Sequence, residues 1–285
     1  ELESRLGRHL AAKARHVSGL AEDDALQAAR AEAAAGRQCT LGYWSKPGES
    51  PASTAERYAR AVERVADAGL PASVSIKVDL LGFDRALLAP VLRAARARDV
   101  RVHFDAQGPD TITRTHALVE EACALGNDVS ATLPSRFLRS RTDAERFIAL
   151  RIPVRVVKGQ GGDPEHPKLD PRRSYLELVD RLAGRAAFVG VATHDRRVAE
   201  PALRRLVAAG TPCGLEQMRS LPRLDFIAQE LGLATRVYVA YGHAGLPYAI
   251  GECLRRPAIV GWILRDLFLR HAPMTPESSR PPRQP

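Results

Sequence analysis

Cysteine is scarce and scattered. Cys39, Cys123, Cys213 and Cys253 are the four in 285 residues. None is spaced as C-x-x-C, so neither a disulfide framework nor a zinc site is expected, and reduced thiols in a cytoplasm fit best. Aromatic residues make up 5% of the chain, too few for the stacking platforms of a single-strand nucleic-acid binder. No apolar run approaches the roughly 20 residues that cross a bilayer, and no signal peptide is read. The G-x-G-x-x-G turn of dinucleotide-binding open sheets is missing. Acidic residues are outnumbered, 33 against 42 basic, for a net charge of +9. That surplus admits an acidic ligand, a membrane surface or nucleic acid and selects none of them. The basic clusters RAARARDVR (93–101) and RFLRSRTDAER (136–146) alternate with apolar residues in a helical or turn pattern and read as solvated faces. The chain opens on Glu1 rather than Met, consistent with a missing N-terminal piece.

What is present is a repeat of two textures. At 45% hydrophobic, the chain has enough apolar residues for a core. Short runs rich in Val, Ile and Cys read as strands: 39–44, 72–78, 100–106, 128–133, 153–159, 187–194, 212–218 and 235–242. Amphipathic stretches rich in Ala, Leu, Arg and Glu follow them, for example 54–69, 84–98, 110–125, 172–184, 195–209 and 222–232. Gly and Pro mark the joints. Strict alternation implies a parallel sheet, and eight repeats in under 300 residues predict a closed (β/α)8 TIM-type barrel. An open doubly wound sheet is the competing architecture. Residues 1–35 are expected to form an N-terminal helical extension, 36–270 the barrel, and the Pro-rich 271–285 a disordered tail.

In such a barrel the active site lies where the strands end. Those ends carry Trp44, Lys77 with Asp79, Asp105 with Gln107, Thr132, Lys158 with Gly159, Thr193-His194-Asp195, Glu216-Gln217 and Tyr241-Gly242-His243. Polar groups converging on one rim predict a ligand site. A lysine closing an apolar strand must reach solvent or meet an anion. For Lys77 the anion is Asp105 or a substrate carboxylate; the third reading is a Schiff-base lysine. His103 and Asp105 share one face of their strand, but no H-x-H pair accompanies them, so no metal is expected.

The segments VSIKVDLLG, VHFDAQG, VRVVKGQ, VATHD, LEQM and RVYVAYG with a later PY stand in the order and spacing of the proline dehydrogenase family, and over residues 70–270 the chain resembles it. The resemblance implies a distorted barrel, FAD as cofactor and hydride transfer from an amine to flavin N5. It implies that Lys77 pairs with the substrate carboxylate and that Asp105 lies beside the active centre. Arg155 would meet the flavin near N5, where a cation stabilises incoming negative charge. Lys158, Gly159 and Gln160 would lie along the cofactor, and Thr193, His194, Glu216 and Gln217 would contact it. Ser130 stands where the family has a flavin-contacting Gln.

The final helix departs most. Tyr248 matches in PYAIGECLRRP, but Gly251 and Glu252 replace the arginines that clamp the proline carboxylate. Arg255 and Arg256 follow one turn later and could restore that clamp. The expected function is therefore oxidation of L-proline or a related cyclic or secondary amine to an imine. Electrons would pass to a quinone or another acceptor. Segment 255–270 offers a peripheral membrane contact if it is not simply the last barrel helix. The alternatives are a Schiff-base aldolase or lyase using Lys77 or Lys158, and a flavin-binding relative without proline turnover. Nucleic acid is not an expected partner, and the location is taken as cytoplasmic, with membrane association left open.

Overall fold

A computed structural model describes residues 21–243 except 107, 160–162 and 220. Helix α1 (Glu22–Ala34) precedes β1 (Gln38–Trp44). Then follow α2 (Pro51–Asp67), β2 (Ala72–Ile76), a 3₁₀ turn (Val78–Leu81), α3 (Arg85–Ala97), β3 (Val102–Phe104) and α4 (Pro109–Ala124). The middle of the chain supplies β4 (Val129–Pro134), α5 (Ser140–Ala149), β5 (Val154–Val157) and α6 (Pro171–Leu182). The last elements are β6 (Val189–Ala192), α7 (Arg196–Ala208), β7 (Cys213–Met218), α8 (Asp225–Glu230) and β8 (Thr235–Gly242). The eight strands are all parallel, pair in chain order and close β8 onto β1, so the predicted barrel is the observed one.

Closure follows from the side chains. Along each strand one set of alternate residues is apolar and packs outward on the helices. Leu41, Val74, Ile76, Phe104, Leu133, Val156 and Leu215 belong to a single buried cluster with Tyr58, Val62, Phe147, Leu178 and Leu203 from the helices. The other set faces the barrel axis and is largely polar: Thr40, Ser73, Ser75, His103, Ser130, Thr132, Arg155 and Glu216 are all buried. A barrel of this type is ordinarily filled by Val, Ile and Leu. Here the interior is a hydrogen-bonded network, in which Thr40 Oγ1 lies 3.0 Å from Ser73 Oγ. Buried polar groups need such partners, because each unpaired one costs about 1–3 kcal/mol.

Two glycines make room for the largest interior groups. A Cβ on Gly42 would fall 1.9 Å from the Tyr238 hydroxyl, and one on Gly190 would fall 2.3 Å from Glu216 Oε1. The helices begin at the rim where strands end, and side-chain oxygens cap them. Ser50 accepts from the Ser53 amide, Asp84 from Ala86, Asp170 from Arg173 and Asp195 from Arg197.

One local feature differs from the sequence expectation, and a second settles a helix-or-turn stretch as helix. The second strand stops at Ile76, and a 3₁₀ turn then carries Asp79 away from the axis. The basic stretch after β4 contains a full helix, α5. Its arginines are neutralised by neighbours: Arg139 by Asp143, Arg146 by Glu120 and Arg141 by Glu177.

Leu133 lies in β4 with no exposed surface. Leu133→Ala is expected to lower unfolding free energy by about 2–5 kcal/mol, from lost burial plus an unfilled cavity. Guanidinium denaturation followed by far-ultraviolet dichroism measures it.

Candidate active site

Lys77 follows β2 directly and is buried. Its backbone N–H donates to the Tyr58 hydroxyl at 3.1 Å, which fixes the chain where it leaves the strand. Its Nζ lies 3.7 Å from Asp105 Oδ2 and 4.6 Å above the centre of the Trp44 ring. Burial works against its charge, but Tyr238 and the Asp105 carboxylate outweigh that and hold its pKa above the ordinary lysine value. Asp105 is positioned by its own amide, which donates to Ile76 O at 2.9 Å, and by Thr132, whose hydroxyl donates to Oδ1 at 3.2 Å.

Arg155 is the second residue of β5 and projects across the axis. Its Nε donates to Glu216 Oε2 at 2.6 Å, and a terminal nitrogen donates to Thr40 Oγ1 at 3.3 Å. Its guanidinium carbon lies 5.7 Å from the Tyr238 ring centre. Burial opposes the charge here too, while Glu216 and Asp105 keep the pKa raised. His103 sits between Ser130 (2.9 Å from Nδ1) and Thr132 (2.8 Å from Nε2). Burial first, then the positive charge of Arg155, Arg236 and Lys77, pushes its pKa well below the usual histidine range.

The remaining sequence candidates lie on the rim loops. Gly159 has φ of +85°, and a Cβ there would meet Pro134 Cβ at 2.8 Å, so glycine is required. Lys158 is exposed, and its carbonyl accepts from the Arg136 amide. His194 uses both ring nitrogens on backbone: Nδ1–H donates to Pro222 O at 2.9 Å, and Nε2 accepts from the Met218 amide at 3.0 Å. That fixes its tautomer, and burial lowers its pKa. Thr193 Oγ1 accepts from the Asp195 amide. Gln217 faces away from the axis. Its side-chain N–H donates to Thr193 O at 3.0 Å, and its oxygen accepts from the Leu224 amide at 2.7 Å. Lys77, Asp105, Arg155 and Glu216 are thus gathered inside the barrel, with Ser130 deeper on the same wall as Asp105. Thr193, His194 and Gln217 brace the adjoining loops. Gln160, Tyr248, Arg255 and Arg256 lie outside the described residues.

The structure adds Tyr238 and Ser75 to the site and ties Thr132 to His103 and Asp105. Tyr238 is two residues into RVYVAYG, on the same strand face as Arg236; that polar alternation was the available signal. Ser75 Oγ, Lys77 Nζ and the Tyr238 hydroxyl have no hydrogen-bond partner among the described residues. Two unanswered hydroxyls beside a buried ammonium that itself lacks a hydrogen-bond acceptor mark the place where a polar ligand belongs.

No protein-family model matches the chain. Proline dehydrogenase from Deinococcus radiodurans is 27% identical over 277 residues, 89% of each chain. Proline dehydrogenase 1 from Bacillus subtilis is 22% identical over 245 residues, 80% of each. The chain is similar to the proline dehydrogenases over most of its length. Its fold is shared by a mutant of Bradyrhizobium japonicum proline utilization A, with a TM-score of 0.63 at 17% identity over 75% of this chain. A bifunctional proline utilization A protein superposes with a TM-score of 0.61 at 17% identity over 76%. The chain spans only 28% and 27% of those two longer proteins.

Two predictions concern stability. Glu216→Gln removes the carboxylate facing a buried guanidinium and should cost up to about 3–5 kcal/mol, read as a lower denaturant midpoint. His103 and His194 both have lowered pKa values. Each binds its proton more readily unfolded than folded. Their contribution is therefore complete above about pH 6.5 and is lost as pH falls below it, with a limiting slope of about 1.4 kcal/mol per pH unit for each residue. His103→Asn should flatten that slope in denaturation curves taken from pH 7 to 5.

Proposed function

We propose that this chain is an FAD-dependent dehydrogenase that oxidises L-proline, or a closely related cyclic or secondary amine, to the imine. The observation that carries the reading is the pair of buried cations, Lys77 and Arg155, at a barrel mouth lined with unanswered polar atoms. A mouth with donors at Ser75, Lys77 and Tyr238 and cations at Lys77 and Arg155 fits an electron-accepting ring carrying carbonyl oxygens and an anionic tail. Residues Ser130, Arg155, Lys158, Gly159, Glu216, Thr193 and His194 are the ones proposed to hold FAD. When bound, FAD supplies a two-electron acceptor that takes hydride from the carbon beside the amine nitrogen.

The chain's own residues supply the rest. Lys77 stays protonated and offers its charge to the substrate carboxylate. The same fact argues against the Schiff-base reading, because a lysine must be neutral to attack a carbonyl. Asp105, 3.7 Å from Lys77 Nζ, is placed to take the proton that the substrate ammonium loses before its lone pair can assist. Arg155 holds positive charge where negative charge accumulates. Glu216 fixes that guanidinium inside the barrel, and Trp44 closes one side of Lys77. A quinone is the proposed electron acceptor. No helix among the described residues is long and apolar enough to cross a membrane. The membrane contact proposed for 255–270 and the clamp proposed for Arg255 and Arg256 fall outside the described residues.

The test is the visible absorption spectrum of the FAD-loaded protein before and after anaerobic L-proline. Bleaching of the flavin bands is expected. Bands that persist with proline but bleach with another amine would reassign the substrate, and absence of bound flavin would end this reading. Lys77→Met should lower kcat/KM for the carboxylated amine roughly 10- to 100-fold, the equivalent of one charge-assisted hydrogen bond.

A further inference from the structure

Four side chains are joined end to end along one wall of the barrel. Ser130 Oγ lies 2.9 Å from His103 Nδ1. His103 Nε2 lies 2.8 Å from Thr132 Oγ1, and Thr132 Oγ1 lies 3.2 Å from Asp105 Oδ1. The middle of this chain is dry, with His103 2% and Thr132 1% exposed. Its two ends are not. The Asp105 side chain is 20% exposed at the mouth. At the other end, Ser130 and His103 line a cavity of about 20 Å³ with Ser73, Arg101, Arg155 and Arg236. That volume accommodates one water, and the lining is polar enough to hold it.

Counting hydrogens restricts how the chain can be arranged. His103 is neutral, because burial among cations suppresses its protonated form, so it carries one ring hydrogen. Ser130 and Thr132 carry one each. If Asp105 is ionised, Thr132 must donate to it, Nε2–H must donate to Thr132, and Ser130 must donate to Nδ1. If Asp105 carries a proton on Oδ1, that proton is donated to Thr132, Thr132 donates to Nε2, Nδ1–H donates to Ser130, and Ser130 donates into the cavity. Every bond has one hydrogen in both arrangements.

We infer that Thr132, His103 and Ser130 form a proton wire between Asp105 and the water-sized cavity under Arg155. The step that connects the two arrangements is balanced. Asp105 O–H breaks as Thr132 gains that proton; Thr132 gives its own to Nε2; Nδ1 gives its proton to Ser130; Ser130 gives its own to the cavity water. One proton leaves Asp105, the cavity water relays one to the Glu216 carboxylate on the same cavity wall, and the imidazole is neutral before and after with its tautomer reversed. The use of the wire rests on the amine-oxidising reading: it gives Asp105 an exit for the substrate's proton that does not cross the bound substrate. Its geometry does not depend on that reading. The charged groups facing it are Lys77 and Asp79 at Asp105, and Arg101, Arg155, Arg236 and Lys77 at His103, with Glu216 across the cavity. Asp79, raised above the usual carboxyl range mainly by burial, gives a carboxyl signal of its own.

The test is nitrogen NMR of ¹⁵N-histidine protein, as flavin-loaded enzyme, with the His103 signals assigned through His103→Asn. At neutral pH the hydrogen is expected on Nε2. As the Asp105 carboxyl carbon signal shows protonation, the hydrogen is expected to move to Nδ1 with no doubly protonated ring. Thr132→Val should abolish that response, and Thr132→Ser should keep it. A hydrogen on Nδ1 at neutral pH overturns the wire even if the fold fails before Asp105 titrates. An unmoved tautomer once Asp105 is protonated overturns it as well. In rapid mixing with L-proline, Thr132→Val should slow flavin bleaching on the order of 10- to 100-fold, with Thr132→Ser restoring it. A Val variant that bleaches at the wild-type rate removes the wire from turnover. If His103 responds as stated but no amine bleaches the flavin, the wire stands and the amine-oxidising reading fails.

Discussion

The contact between Arg155 on β5 and Glu216 on β7, made inside the barrel over Gly190, sets the terms for everything around it. A guanidinium cannot be buried without an anion and hydrogen-bond acceptors. Glu216 supplies the first at 2.6 Å, and Thr40 supplies a further acceptor from the opposite wall. Once that cation is accepted, the strands beside it cannot be filled with aliphatic side chains. They carry hydroxyls and an imidazole, most of them satisfied by a neighbour, with Ser75 and Tyr238 left for a ligand. The interior is a polar lattice inside an apolar shell, and the shell between strands and helices does the work of holding the domain together.

This division of labour bears on the chemistry. The cations at the mouth are fixed by residues that reach them from the walls, and the loops are held separately. Gln217 spans from Thr193 to Leu224, and His194 spans from Pro222 to Met218. Two loops are thereby tied by four hydrogen bonds from two side chains, so this sector of the rim is stiff. The charges are preorganised in the sense that matters for electrostatic stabilisation: they need little rearrangement when a ligand arrives.

Much of the fold could be read from the sequence, because the period of the apolar residues and the spacing of Gly and Pro are local signals. All eight strands fall within a few residues of their expected bounds. The helix at 140–149 lies in a stretch read as helix or turn, but the partners of its arginines, Glu120 and Glu177, lie on neighbouring helices and cannot be paired with them from sequence. At the site, strand-end position identified Lys77 and Asp105 as neighbours. It could not separate residues that face the axis from those that brace loops, since Glu216 and Gln217 are adjacent in sequence and point in opposite directions. Thr132 was visible as a polar strand end, but its link to His103 and Asp105 depends on the stagger between β3 and β4, which only closure of the barrel defines.

Gly42 lies under the Tyr238 hydroxyl and Gly190 under the Glu216 carboxylate. The first pair joins the first and last strands and the second joins two consecutive ones, yet each is a single volume divided between two residues. A heavier residue at 42 is admissible only with a smaller one at 238, and likewise for 190 and 216. The lumen is therefore inherited in coupled halves. A lineage that reshapes it must change both members of a pair, or pass through an intermediate with a clash or a void.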